Sequence, residues 1–237
     1  MLVLGFESSA KSASVALMRD NEIIAEYFQN CGLTHSRTLL PMAEDLLKNT
    51  GFSMIDIDLF AVAHGPGSFT GIRIGVSCVK GLCWALEKPA VGVSTLEALA
   101  HNGAFAPKKS VICCAMDARR NQVYNALFLR DGDGFKRISP DRAISLEALY
   151  EELKSVAGKV FLVGDGARLC VDYLSGKGLS AQLAPEPLIM QRASCVCRAA
   201  VGKQPLSAAC LLPVYLRLPQ AERERLEHRK SDAAKPV

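Results

Sequence analysis

Over residues 2–28 the chain alternates short apolar runs with polar breaks. LVLGFE, SVALMR and EIIAEYF are separated by SSAKS and by Asp20-Asn21, the rhythm of three strands joined as two hairpins. From residue 35 to 49 the spacing becomes helical and sets Leu39, Leu40, Ala43, Leu46 and Leu47 on one face, with Gly51 as the stop. Pro41 falls either in a late first turn or at a kink. LFAVAHG has the apolar run of a buried strand and leads into HGPGSFTGIR, residues 64–73, and then into a long helix ending near residue 86. A second series follows: VICCAMDARRNQVYNALFL predicts two strands about DARRN, SLEALYEELKS an amphipathic helix, VFLVGDGA a strand entering a glycine turn, and MQRASCVCRAAVG a helix. Both halves share the outline hairpin, helix, strand, glycine turn, which predicts an α/β fold of two related lobes. The turn-rich HNGAFAPKK marks the change, with residues 1–101 as first lobe, 102–206 as second, and 207–237 as a terminal segment whose charged end fades into a disordered tail.

The helix over residues 70–86 is unusually apolar. At about 100° per residue, Arg73, Ser77, Lys80, Trp84 and Glu87 share a narrow stripe, and Ile72, Gly75, Val76, Val79, Leu82 and Cys83 lie in an apolar arc wider than half the circumference. One sheet needs less than that, so a second helix should cover part of the arc. Gly71 and Gly75 would let it approach closely. The cover is either the 35–49 helix of this chain or another molecule, and the predicted contact set is Leu39, Leu40, Ala43, Leu46, Leu47, Ile72, Gly75, Val76, Val79, Leu82 and Cys83.

Two loops have the build of anion seats. In GFESSAKSAS, Ser8 and Ser9 offer hydroxyls and backbone N–H groups to phosphate oxygens, and Glu7 could hold a hydrated metal ion; an ordinary polar hairpin turn is the competing reading. In HGPGSFTGIR, Gly65 and Gly67 permit close backbone approach, and Ser68 or Thr70 can cap a helix whose free N–H groups and positive dipole end attract an anion. A well-capped helix without ligand uses the same residues.

Composition narrows the classes. At 237 residues, with 49% hydrophobic and 22% charged positions, the chain can build one large or two small domains, and no window looks apolar enough for a bilayer span. The start MLVLGFESS lacks a basic flank and reads as a strand, so a cytoplasmic location is expected. The nine cysteines form no paired CxxC spacing and are expected as buried thiols. A net charge of +4 is too small for a dedicated nucleic-acid binder.

LGFESSAKSASVAL, HSRTLLP, HGPGSFTGIRIGVSCVKGL, DARRNQVYNALF, VGDGA and PVYLR together resemble the TsaB (YeaZ) family through nearly the whole chain. The resemblance implies two ribonuclease-H-like lobes of the actin, Hsp70 and sugar-kinase ATPase superfamily. It also implies a paralogue, TsaD, which transfers a threonylcarbamoyl group to the tRNA adenosine beside the anticodon. TsaD-type proteins carry an HxxxH metal pair in a run similar to GVNHLEGH; here the run is GVSTLEAL, with Thr95 and Leu99 at those two places. Neither side chain replaces an imidazole as a ligand. His35, His64, His101 and His228 show no such spacing.

The resemblance therefore implies a non-catalytic subunit with no metal and no cofactor of its own, leaving room only for weak ATP or ADP binding in complex with TsaD. Glu7, Ser8, Ser9, Gly65, Gly67 and Ser68 would be a vestigial phosphate seat. The implied partners are a TsaD-like catalytic subunit packed on the two helices, a TsaE-like ATPase, a TsaC-like enzyme supplying threonylcarbamoyl-AMP, and tRNA mainly through the complex. A homodimer is expected when the chain is alone. The rival class is an independent enzyme: a phosphotransferase with Asp117 as its carboxylate, or a metallopeptidase-like protein, which would need the missing histidines. Asp117 can equally cap the DARR turn.

Overall fold

The computed structural model describes residues 1–156 and 158–217. The three amino-terminal strands are present as β1 (Leu2–Glu7), β2 (Ala13–Arg19) and β3 (Glu22–Gln29), followed by α1 (His35–Thr50), β4 (Leu59–Gly65), α2 (Phe69–Leu86), β5 (Ala90–Ser94) and α3 (Thr95–Asn102). The second series is β6 (Val111–Asp117), β7 (Gln122–Asp131), β8 (Gly134–Arg137), β9 (Arg142–Ser145), α4 (Leu146–Leu153), β10 (Val160–Val163), α5 (Ala167–Gly176), β11 (Gln182–Leu183) and α6 (Ala193–Ala200). Pro41 lies inside α1, which continues past it.

The first sheet has the order β3-β2-β1-β4-β5 and the second β11-β10-β6-β7-β8, with β9 also paired to β7. In both, the hairpin strands are antiparallel and the next two join in parallel (β1 with β4 and β5 beyond; β6 with β10 and β11 beyond). The halves are therefore one topology used twice.

The strands read as continuous apolar runs because both faces of each sheet are covered. On the first sheet, Leu4, Phe6, Val15, Leu17, Phe60 and Val62 face α1 and α2. The alternate positions Val3, Ala16, Met18, Ala61 and Ala63 face α6 and Ala98 of α3. On the second sheet, Cys113, Ala115, Val123 and Leu127 face α4 and α5, and Ile112, Cys114, Met116 and Phe128 face Leu96 and Leu99 of α3. Helix α3 thus packs on both sheets.

Helix α6 crosses back to the first sheet because its small face fits there: a Cβ at Gly5 would overlap the Cys197 Sγ. Glu26 completes the dock, accepting from the Ser194 N–H at 2.9 Å and from Arg192 Nη1 at 2.8 Å at the helix start. Six of the nine cysteines, Cys83, Cys113, Cys114, Cys170, Cys195 and Cys197, are buried, whereas Cys31 and Cys210 are exposed against the expectation of burial. The charged tail, with His228, lies outside the described residues.

Two further expectations are corrected on α1 and α2. Leu39, Ala43, Leu46, Leu47, Ile72, Gly75, Val76, Val79 and Cys83 are not a partner surface; they are this chain's own core against the first sheet. Leu82 is half-buried against the same core, and Leu40 is the one member of the set that is substantially exposed, at 40%. A helical wheel gives the width of an apolar arc but not its phase relative to the sheet. Gly71 and Gly75 serve no neighbouring helix either: added Cβ atoms would overlap the carbonyl oxygen of Ser8 and approach its Oγ at 2.5 Å. Contrary to the sequence reading, α2 is long and apolar enough to match a bilayer span, yet one side of it is packed on the sheet.

Leu46→Lys and Val79→Lys should therefore each remove several kcal/mol of folding stability, since a charge enters a fully buried site with no partner. Urea denaturation followed by circular dichroism is expected to show a strongly lowered midpoint or no cooperative transition. A folded, merely monomeric variant would contradict this packing.

Candidate functional site

Strands β1 and β4 end side by side and deliver the two glycine-serine loops to one place. Gly65 and Gly67 take φ of +130° and +156°, a backbone region that glycine alone adopts without strain. There the loops close on each other. The Ser68 N–H donates to the Ser9 carbonyl at 2.7 Å, the Ser8 hydroxyl donates to the Gly71 carbonyl at 2.9 Å, and Ser68 Oγ caps α2 by accepting from the Gly71 N–H at 3.3 Å. Ser68, not Thr70, is the cap. A Cβ at Gly67 would overlap the Ser9 carbonyl oxygen. Of the six residues expected as a phosphate seat, Glu7, Ser8 and Ser9 are fully buried, Gly65 is buried, and Gly67 and Ser68 stay accessible. Two donors at the helix start, the Ser68 and Gly71 N–H groups, are directed onto the chain's own oxygens.

Between the lobes a cleft of about 350 Å³ remains, lined by Ser9, Lys11, Gly67, Ser68 and Phe69 on one side and by Met116, Asp117, Arg119, Tyr124 and Asp165 on the other. Asp117 Oδ1 accepts from the Arg119 N–H at 2.7 Å, so the carboxylate caps the DARR turn. That turn holds Arg119, Arg120 and Asn121 at φ of +65°, +54° and +55°. Glu7 is fully buried and is not a lining residue; its Oε1 accepts from the Ser9 N–H at 2.6 Å, and Oε2 has no hydrogen-bond partner among the described residues. Burial pushes the Glu7 carboxyl up to about 7, with the charge of Asp165 adding to it and hydrogen bonds from Ser9 opposing. Burial also raises Asp165, against the hydrogen bond that Gln191 Nε2 donates at 2.8 Å.

Thr95 and Leu99 do not face the cleft lining. Thr95 is fully buried at the start of α3, and Leu99 packs under the second sheet. The described histidines stay apart: His35 Nε2 lies 2.8 Å from the Ala10 carbonyl, His64 Nδ1 is 3.2 Å from the Leu212 carbonyl, and His101 packs edge-on to Phe135, with burial holding it down at about 4.

Sequence reasoning gave no role to the PVYLR run, which proves to strap the site. The Val214 N–H donates to the His64 carbonyl at 2.7 Å, and the Val214 carbonyl lies where a side chain at Gly65 would be. Tyr215 stacks on Phe69 with ring centroids 4.1 Å apart, and its hydroxyl accepts from Arg73 Nε at 2.9 Å. Arg217 Nη1 then reaches the second lobe and donates to the Ala118 carbonyl at 2.5 Å. The available signal was two aromatic residues, Phe69 and Tyr215, flanking glycine-rich and proline-bearing turns. A second concavity of about 480 Å³ opens between α1 and α2, lined by His35, Ser36, Leu39, Leu40, Thr70, Arg73, Ile74, Ser77 and Cys78.

Glu7 gives a signed pH dependence. Its folded pKa near 7 exceeds the ordinary 4.5, so the folded state holds the proton more tightly than the unfolded one. Stability from this group is full below about 4.5 and falls as pH rises to 7, where the accumulated penalty is about 3 kcal/mol. Glu7→Gln, a neutral isostere, should be more stable than the parent by roughly 1–3 kcal/mol at pH 8, with the gap closing near pH 4.5. Paired denaturation curves at the two pH values check this.

The comparisons with known proteins bear on the whole arrangement. The family model described as TsaD, tRNA N6-adenosine threonylcarbamoyltransferase, matches residues 29–169. The tRNA threonylcarbamoyladenosine biosynthesis protein TsaB of Bacillus subtilis is 34% identical, covering 97% of this chain and 100% of its own. The protein of the same name from Escherichia coli is 34% identical over 76% and 78%. YeaZ from Pseudomonas aeruginosa, a solved structure, superposes with a TM-score of 0.73 at 26% identity over 91% of this chain and 99% of that one. The two sheets of matching topology are accordingly those of the YeaZ fold. With identity of this extent to proteins of one name, and with the paired loops and duplicated lobes in place, the chain belongs to the TsaB family.

Proposed function

We propose that this chain is a non-catalytic subunit that pairs with a TsaD-like protein and supports transfer of a threonylcarbamoyl group to the adenosine next to the anticodon of tRNA. The observation that carries the reading is the fate of Thr95 and Leu99. They stand where the TsaD-type metal pair would be, and both are buried, Thr95 as the first residue of α3 after its Ser94 cap and Leu99 in the core. The closed loops support the same reading, because a reaction at phosphate needs donors aimed outward and here the Ser68 and Gly71 N–H groups and the Ser8 hydroxyl are turned inward. Asp117, the carboxylate a phosphotransferase would use, has one oxygen engaged as a turn cap.

The partner surface in this reading is the α1–α2 groove, with Leu40, Ile74 and Cys78 as its apolar floor and Arg73 at its edge. It differs from the contact set read off the helical wheel, and the same face would form a homodimer when the partner is absent. Any ATP or ADP contact is weak and arises in the complex. A TsaC-like enzyme supplies the donor, a TsaE-like ATPase joins, and the complex works in the cytoplasm.

Two outcomes are expected. The purified chain alone turns over no ATP and modifies no tRNA, and modification appears when TsaD-, TsaC- and TsaE-like proteins are added; robust turnover by the single chain, abolished by Asp117→Asn, would overturn the reading. Leu40→Asp and Ile74→Asp stay folded by circular dichroism but weaken partner binding by roughly tenfold or more, since a charge is desolvated without a counter-ion on association. Calorimetric titration with the partner checks it.

A further inference from the structure

We propose that Tyr215 is a positioning residue for the α1–α2 groove: by holding Arg73, it links the docking of residues 212–217 to the binding of a partner in that groove. The inference rests on the reading of the groove as the surface that meets a TsaD-like protein.

The first observation is a change in how the strap is attached. Up to Leu211 it is fastened by main chain and by burial: Leu206 and Ala90 exchange hydrogen bonds of 2.7 and 2.9 Å, and Ala208 and Leu211 lie in the core of the first sheet. From residue 212 to 217 no side chain is fully buried, and Leu212 is 61% exposed. These residues are held by the Leu212 and Val214 main chain on His64, by the Tyr215 ring on Phe69, and by Arg217 on the Ala118 carbonyl. A segment with so little buried apolar surface opens locally at low cost. Its contacts add little to the core and fall instead on the groove wall and on the second lobe.

The second observation is that Arg73 is shared. It is exposed and lines the groove, yet its guanidinium is turned to the strap. Arg73 Nε donates to the Tyr215 hydroxyl at 2.9 Å, and Cζ lies 5.3 Å from the Phe69 centroid and 5.6 Å from that of Tyr215. An exposed arginine ordinarily samples many rotamers, and ordering it on association costs affinity. Here the strap orders it before a partner arrives.

The third observation is the far anchor. Arg217 does not line the groove, and its Nη1 donates to the Ala118 carbonyl of the second lobe at 2.5 Å. The strap therefore runs from the groove wall to the opposite wall of the cleft, and loosening its far end should be felt at Arg73. By linkage, an occupant that favours the ordered Arg73 also favours the docked strap.

The test is a double-mutant cycle on partner affinity, measured by calorimetric titration of the full chain with the TsaD-like protein, with melting followed by circular dichroism. Tyr215→Phe keeps the stack and removes the hydroxyl that Arg73 uses, so binding should weaken about threefold while the melting temperature hardly moves. In an Arg73→Ala background the same change should cost nothing further, because the group it acts through is gone. Arg217→Ala should weaken binding by about twofold to threefold from outside the groove. Leu212→Ala, a truncation on the exposed part of the strap, should leave affinity unchanged. In the chain alone, the Arg73 Nε proton, followed by NMR, should exchange with solvent several times faster in Tyr215→Phe than in the parent. In the parent, the Val214 amide should exchange more slowly once the partner is bound.

Additive losses in the cycle, tighter binding by Tyr215→Phe, or Arg73 exchange that ignores the substitution would each overturn the proposal. A lowered melting temperature with unchanged affinity would make the strap a structural clamp and overturn it equally. If the parent binds no TsaD-like protein, the functional reading falls and the linkage with it, whereas additive losses with parent binding intact remove the linkage alone.

Discussion

The approach of the β1–β2 turn to the start of α2 is the constraint on which the rest of this structure depends. Backbone meets backbone there: the oxygens of Ser8 and Ser9 occupy the space that side chains at Gly67 and Gly71 would need, and the Ser8 hydroxyl sits against Gly75. Because the contact is main chain on main chain, only glycine is admitted on the α2 side, and the direction of the helix is fixed within a narrow range. That direction sets which residues of α2 meet the sheet. Ile72, Val76, Val79 and Cys83 turn inward, and Thr70, Arg73, Ile74 and Ser77 are left beside α1 as one wall of the groove. The closure also engages two of the donors that would otherwise serve an anion at the helix start, the Ser68 and Gly71 N–H groups. One packing decision therefore produces both the groove and a cleft poor in phosphate seats.

The lobes are not independent units joined by a hinge. Helix α3 buries Ala98 on the first sheet and Leu96 and Leu99 on the second, and α6 returns from the second half of the chain to pack on β1 and β2. The strap adds a third tie through Tyr215 on Phe69 and Arg217 on Ala118. Three crossings near one cleft keep its walls in register. Behind those walls Glu7 is fully buried, and the burial raises its carboxyl with the charge of Asp165 adding to the shift.

Much of this order was legible in the sequence, because the first sheet and the β6–β7 hairpin are made of unbroken apolar runs between strong turn signals. The repeat of hairpin, helix, strand and glycine turn was legible for the same reason. The short or irregular elements were not: β5, β8, β9 and β11 have two to five residues each, and their pairing is set by neighbours rather than by pattern. Helix α5 hides in RLCVDYLSG, where the apolar positions are too few to declare a period. The phase of the helices was also beyond the sequence. An arc that wraps most of a helix says that something covers it, and only the Ser8–Gly71 contact says which side the sheet takes. At the site, glycines and serines announced the loops correctly, but the same residues serve an open anion seat and a closed joint. The difference lies in which oxygen the N–H groups find, and no spacing rule carries that.

The strap gives the groove and the cleft a common boundary. Arg73 lines the groove, its Nε donates to the Tyr215 hydroxyl, and its guanidinium lies 5.3 Å and 5.6 Å from the centroids of Phe69 and Tyr215. Phe69 lines the cleft, and two residues beyond Tyr215 the chain grips Ala118 in the opposite wall. An occupant of the groove that drew Arg73 toward itself would have to break a hydrogen bond and two cation–π contacts, each worth on the order of 1 kcal/mol. An occupant that left Arg73 in place would meet a wall already stiffened by the aromatic stack. Both cases make the groove sensitive to the state of the strap. An anionic group offered to Arg73, such as a carboxylate, could compensate for the lost contacts, since a charge-assisted bond exceeds the neutral bond to the tyrosine hydroxyl. The groove thus pairs apolar side chains, Leu40, Ile74 and Cys78, with one cation, Arg73, whose present contacts tie it to the strap.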